Sequence, residues 1–158
     1  MGPELEQTFV LIKPDAVANN WVEAIIKRYT DAGLEPVMIF PPITMTREKA
    51  GRFYKEHSNK PFYTGLTLAM SSGPVVGLIL QGKDVVRRIR EINGARDPQQ
   101  AVSGTIRHDF MSAGGPFNTV HASDGVEAAK REIFSFLSFY DAAGIEHVKK
   151  YLKKPAYN

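Results

Sequence analysis

The segment Asn118-Thr119-Val120-His121-Ala122-Ser123-Asp124 ends a short β-prone run and leads into a helical pattern. It gathers an imidazole, a hydroxyl and a carboxylate at a helix N-terminus, where anions are favoured. A neutral imidazole is a good nucleophile towards phosphorus. Asp124 could hold water or a metal, and Glu132, two turns into the helix, could reach back to orient the His121 ring. On this segment alone, a core histidine with helix-capping neighbours reads equally well. Three cations stand on separate elements: Lys13 after the first strand, Arg90 on a later helix and Arg107 in a long irregular stretch. Together they would offset most of the charge of a triphosphate, with guanidinium forks matching phosphate oxygens. Taken singly, each reads as a surface charge. Tyr54 and Phe62 add a phenol and a ring, although aromatics at helical spacing are mostly core. His57, on an apolar stripe, reads as a packing residue, His108 as a salt-bridged one and His147 as solvated.

Several chemistries are excluded. The chain has 158 residues and no cysteine, which removes thiol nucleophiles and Cys-ligated metal centres. Neither a G-x-x-x-x-G-K-[ST] loop nor a strand followed by G-x-G-x-x-G is present, and there is no zinc H-E-x-x-H or G-x-S-x-G elbow. Twenty Lys+Arg against 17 Asp+Glu leave a charge of +3, too small to imply nucleic acid. No apolar run approaches the roughly 20 residues of a membrane span. Met1 to Gln7 lacks a signal pattern, so a cytoplasmic protein is expected.

The elements that must position these groups follow from periodicity. Thr8 to Ile12 is a strand apolar on both faces, stopped by Lys13-Pro14-Asp15, with Asp15 able to cap the next helix. Val17, Trp21, Ile25 and Tyr29 recur every four residues, predicting one helix closed by Gly33. Leu34 to Ile43 and Pro74 to Leu80 read as strands, with a helical pair between them begun by Thr46 and Pro61. Asp84 can cap a helix holding Val85, Val86 and Ile89. From Gly94 to Phe117 the pattern vanishes, and a stretch of that length without structure is usually functional. Asn118 to Ala122 is the fourth strand. A helix capped by Asp124 follows, with Val126, Ala129, Ile133 and Leu137 on one face. The order predicts one α+β domain over 1–158, with its core in 8–137 and an atypical tail in 138–158. Its frame is a ferredoxin-like βαββαβ antiparallel sheet with an inserted helical pair. An RNA-binding module on such a sheet would need RNP-like surface aromatics, and the first strand supplies only Phe9.

The runs Leu11-Ile12-Lys13-Pro14-Asp15, Lys60-Pro61-Phe62-Tyr63 with Tyr54 before it, Ser72-Gly73-Pro74-Val75-Val76, Gly104-Thr105-Ile106-Arg107-His108-Asp109-Phe110 and Asn118 to Asp124 resemble nucleoside diphosphate kinases. The match runs in register from Thr8 to Leu137. The resemblance implies a ping-pong phosphotransferase that moves the γ-phosphate of ATP, or another nucleoside triphosphate, to His121 and then to a nucleoside diphosphate. It implies Mg²⁺ on the phosphates, with Asp124 holding it through water. It further implies that Ser123 and Glu132 steer His121, and that Lys13 and Asn118 bind the ribose and terminal phosphate region. Tyr54, Arg90 and Arg107 would contact phosphates, Phe62 would stack on the base, and the irregular stretch would be a substrate-lining loop. A homo-oligomer, hexamer or tetramer, with no membrane or specific nucleic-acid partner, is implied as well.

The sequence also departs from the family pattern. Arg96 stands where the family usually has a phosphate-binding threonine; it could tighten phosphate binding, obstruct it or pair with Asp97. Ala18-Asn19-Asn20-Trp21 replaces a usual Arg-Gly turn, and Ser112 to Phe117 carries an extra residue. These departures motivate an alternative, a divergent nucleotide-binding relative with low turnover and a regulatory or interaction role.

Overall fold

The computed structural model describes residues 5–141. In the first strand, β1 (Glu6–Ile12), Phe9 and Leu11 face one way while Val10 and Ile12 face the other, and all four are fully buried. A strand that is dry on both faces needs helices on both. Around it the described residues form a four-stranded antiparallel sheet, completed by β2 (Pro36–Ile39), β3 (Val76–Gly82) and β4 (Val120–Ala122), in the order β2-β3-β1-β4.

On the Phe9 side lie α3 (Arg47–Phe53), α4 (Tyr63–Met70) and α7 (Val126–Leu137), closed over Phe9, Phe40, Phe53 and Phe136. The Phe136 ring meets Phe40 edge-on at 5.1 Å and Phe9 at 5.2 Å. Gly77 on β3 makes room for this cluster, since a methyl there would come within 2.7 Å of Phe136. On the other side, α2 (Val22–Asp31) and α5 (Val85–Asn93) supply Ile25, Tyr29, Val85 and Ile89. The architecture is α+β and ferredoxin-like, with the expected helical pair α3/α4 between β2 and β3.

The differences from the sequence expectation have local causes. The helix predicted from Val17 to Tyr29 is broken into α1 (Pro14–Ala18) and α2, because Asn20 adopts φ 60°. Asparagine tolerates this left-handed conformation better than most residues, and a four-residue repeat runs through such a break unseen. Asp15 does not cap α1: Lys13 precedes the helix, Pro14 opens it, and the Asp15 carboxylate accepts a bond from Thr119 N at 3.0 Å. β2 stops at Ile39, before Pro41-Pro42 removes two donors, and Ile43 makes only a single bridge to Val75. Thr46 caps α3 as expected, accepting from Lys49 N at 3.1 Å. Asp84 sits at the α5 N-terminus with φ 53°, its carboxylate 3.6 Å from Arg87 and capping nothing. Gly125, not Asp124, precedes α7.

The inward face of α7 is also rotated from the expected stripe. It buries Ala129, Glu132 and Phe136, leaving Ile133 and Leu137 at its margin. The stretch 94–117 is ordered by a 3₁₀ turn at Pro98–Gln100 and by α6 (Ile106–Asp109). Helix α2 holds this stretch from behind: Arg28 bonds Gly104 O at 3.0 Å and Asp109 at 2.9 Å, and Trp21 packs on Phe110. Of the tail, Phe139 is buried and the Tyr140 hydroxyl bonds Pro41 O at 2.7 Å. His147 and the basic end lie outside the described residues. No helix among the described residues is long and apolar enough to cross a membrane.

Candidate active site

A cleft of about 1350 Å³ opens where the C-terminal ends of α5 and β4 meet the loop that follows α5. Of the expected site residues, Lys13, Tyr54, Phe62, Arg90, Arg107, Asn118, His121 and Asp124 line it. Ser123 and Glu132 lie behind it. His121 comes from β4, whose pairing of Leu11 with His121 fixes it against the central strand. The rings of Phe53 and Tyr54 pack nearly perpendicular to the imidazole, with centroids at 5.5 and 5.6 Å. Its Nε2 makes a close hydrogen bond with the buried Glu132 carboxylate. An ionised carboxylate can only accept, so Nε2 carries the proton and Nδ1 keeps its lone pair.

The backbone just before β4 is strained. Thr119 is β-branched and fully buried yet has φ 77°, a conformation that costs on the order of 1–3 kcal/mol. Asp15 on its N–H and Phe110 O on its hydroxyl, at 3.0 and 2.7 Å, hold it there. The result turns Asn118 towards Lys13. The Lys13 ammonium bonds Asn118 Oδ1 at 2.7 Å and Pro116 O at 3.2 Å. Burial, with Arg107 close by, brings its pKa down to about 7 against the pull of Asp15.

Arg107 is committed more than a free phosphate ligand would be. Its three nitrogens bond the carbonyls of Gly94, Asn118 and Val120 at 2.8, 3.2 and 2.7 Å. Two of its five N–H groups remain for a ligand. Burial lowers its pKa to about 10. Gly94, at φ 84°, lets Thr105 pack against the backbone there, for a Cβ would lie 2.5 Å from Thr105 Oγ1. Arg90 and Asp124 are paired with each other at 2.5 Å, with side chains 51% and 72% exposed. Exposed pairs of this kind contribute about 0–1 kcal/mol, so a polyanion can separate them. The Tyr54 hydroxyl is buried without a hydrogen-bond partner, and burial followed by the Glu132 charge raises its pKa. Phe62, 47% exposed, stands at the rim.

Ser123 is placed differently from the expectation. Its hydroxyl bonds the backbone of Phe9, at 3.3 Å to N and 3.2 Å to O, and makes no hydrogen bond to His121 or Glu132. His57, read from its apolar stripe as a packing residue, lines the cleft with its ring 5.4 Å from Phe62. Pro116 also escaped the sequence reading, because its contribution is a carbonyl, which carries no residue-type signal. No group of three or more His, Asp or Glu side chains fit to hold a metal occurs among the described residues.

A family model described as nucleoside diphosphate kinase matches residues 6–141. The chain belongs to the nucleoside diphosphate kinase family. It is 44% identical over 131 residues to nucleoside diphosphate kinase 1 of Protochlamydia amoebophila, covering 83% of this chain and 92% of that protein. To the nucleoside diphosphate kinase of Desulfatibacillum aliphaticivorans it is 43% identical over 140 residues, 89% of this chain and all of the relative. Among solved structures, the Aquifex aeolicus nucleoside diphosphate kinase superposes with a TM-score of 0.80 at 35% identity, covering 90% of this chain and 99% of that one. The Encephalitozoon cuniculi enzyme gives 0.78 at 34% identity, covering 89% and 99%.

The departures from the nucleoside diphosphate kinase pattern also have defined places. Asn20 makes the α1/α2 break, and the longer loop turns back through Gly114 and Gly115, at φ 93° and 60°. Arg96 lines the cleft, and the Asn118 amide donates to its carbonyl at 3.0 Å.

Proposed function

We propose that this chain is a nucleoside diphosphate kinase that carries the phosphoryl group on His121. The observation that supports it best is the His121–Glu132 pair at the wall of a cationic cleft. With the Nε2 proton held by the carboxylate, the Nδ1 lone pair attacks the γ-phosphorus. The bond from that phosphorus to the β–γ bridging oxygen breaks, and the nucleoside diphosphate leaves with the electron pair. In the second half-reaction a terminal oxygen of another diphosphate attacks the same phosphorus, and the N–P bond returns its electrons to Nδ1. As positive charge develops on the ring, the Glu132 carboxylate offsets it.

Phosphoryl transfer asks mainly for positioning and charge neutralisation. Lys13 and Asn118 would take the ribose and terminal phosphate region. Arg90, released from Asp124, would take phosphate oxygens together with the two spare N–H groups of Arg107. The orphaned Tyr54 hydroxyl gains a partner if a phosphate oxygen accepts from it. Phe62 offers a face for the base, and stacking without base-edge bonds tolerates many bases. Ser123 acts by fixing β4 to β1. A divalent cation such as Mg²⁺ suits this donor set: Asp124 is a single exposed carboxylate, and Mg²⁺ is commonly held by one carboxylate, water and substrate phosphates. Bound there, it would neutralise phosphate charge. We also take a homo-oligomer, hexamer or tetramer, in the cytoplasm as the working state.

The test is incubation with γ-labelled ATP and Mg²⁺, with a GDP chase, for wild type and His121→Gln. Acid-labile, base-stable label on wild type alone, released as GTP, is expected. A label that persists in His121→Gln refutes the assignment, and bound nucleotide without a transferable label favours the low-turnover relative.

A further inference from the structure

Charge in the cleft is unevenly matched. Arg87 faces Asp84 and Glu91, and Arg90 faces Asp124. Arg107 is held by three carbonyls, and Lys13 by Asn118 and Pro116. Arg96 differs, for its guanidinium makes no hydrogen bond or ion pair among the described residues, although its backbone is fixed. The adjacent Asp97 makes no ion pair with it; one of its carboxylate oxygens accepts from Gln99 N at 3.0 Å and caps the 3₁₀ turn. One amide, Asn118, connects the arrangement: its oxygen takes the Lys13 ammonium and its nitrogen bonds the Arg96 carbonyl. Lys13 and Arg107 both feel the Arg96 charge, which lowers the pKa of each. At this wall of the cleft Lys13, Arg96 and Arg107 therefore repel one another, and an incoming anion relieves that repulsion while letting Lys13 keep its proton.

We propose that Arg96 is a specificity-determining residue that biases the unphosphorylated cleft towards nucleoside triphosphates over diphosphates. A triphosphate brings one more phosphate group and more negative charge to the same wall. An unpaired guanidinium rewards that difference, whereas a neutral side chain does not. Its fork matches two phosphate oxygens, which a lysine cannot reproduce. Functionally, such a bias would let the unphosphorylated enzyme clear a diphosphate product against a background of triphosphate. The inference deepens the kinase reading above and rests on it for the site occupied.

The experiment measures Kd by calorimetry, with Mg²⁺, for the β,γ-imido analogue of GTP and for GDP. It compares wild type, Arg96→Thr and Arg96→Lys at low and high salt. In Arg96→Thr the triphosphate analogue is expected to bind at least about tenfold more weakly, the loss of one charge-assisted bond. GDP should lose less, and the salt dependence of triphosphate binding should shrink. Arg96→Lys should keep the salt dependence while recovering only part of the affinity. Equal losses for both nucleotides, no change, or tighter triphosphate binding in Arg96→Thr would each overturn the proposal. Circular dichroism of each variant separates these results from misfolding. Because binding is read without turnover, failure of the kinase reading shows separately, as absence of label on wild-type His121.

Discussion

Nucleotide binding should draw a proton into the cleft, and Lys13 gives the amount. Desolvation, then Arg107, brings its pKa from an ordinary 10.5 to about 7. At pH 8 a group titrating near 7 is about nine-tenths deprotonated. A bound polyphosphate supplies the opposite charge that burial withholds, and returns the group towards its ordinary value. Uptake of about 0.9 proton per nucleotide follows at pH 8, and it falls towards zero near pH 6, where Lys13 is already charged. Calorimetry in two buffers of different ionisation enthalpy reads this number directly, with the β,γ-imido analogue preventing transfer. His121→Gln should retain the uptake, which excludes the imidazole as its source, and Lys13→Gln should abolish it. Zero uptake at pH 8, or uptake unchanged in Lys13→Gln, would refute the reasoning. The same shift has a signature without ligand. Between about pH 7 and 10.5 the unfolded chain holds more of this proton than the folded one. The Lys13 contribution to stability therefore rises with pH across that window. Wild type should gain stability relative to Lys13→Gln from pH 7 to 9, read as the difference in urea midpoints.

Other outcomes follow from single contacts. Glu132→Gln should lower kcat by roughly 10–100-fold with little change in KM, because the ring loses its orienting carboxylate; steady-state kinetics decide it. Ser123→Ala should cost about 1 kcal/mol in urea unfolding while His121 still takes label, since the hydroxyl serves the β1–β4 backbone. Gly77→Ala should destabilise by about 1–3 kcal/mol, because its methyl meets Phe136 and Phe9; an unchanged melting temperature would contradict the packing described. Asp15→Ala should raise KM for nucleotides in a protein that still folds, as Thr119 relaxes and Asn118 swings from Lys13; an unchanged KM in steady-state kinetics would contradict this.

What the sequence disclosed was whatever leaves a periodic or residue-type signal. The strand from Phe9 to Ile12 was legible because unbroken apolar residues have few other places to go. His121 was legible as a histidine ending a strand before a helix. The cleft cations were legible as charges, but not in their commitments: nothing in Arg107 as a residue type shows that three carbonyls hold it. The break at Asn20 was hidden because four-residue spacing survives a left-handed residue between two helices. Glu132 looked like a flank of the apolar stripe, yet it points inward because the His121 ring satisfies it there. The Asp residues read as caps found better partners: Asp15 in Thr119, Asp124 in Arg90. Capping is a local bond, and a contact across the fold can outbid it without leaving any mark in the neighbouring sequence.

Glu132 shares the inward face of α7 with Ala129 and Phe136, so the helix that aims the reactive ring also closes the aromatic core. Selection for heat tolerance and selection for turnover therefore act on one object. A lineage that repacks around Phe136 also re-aims His121, and must regain rate by compensating change nearby. Tolerated variation on this helix is left to its solvent side, at Glu127, Lys130 and the exposed Phe134. In this protein the rate of the reaction and the pace of change in its core are tied together.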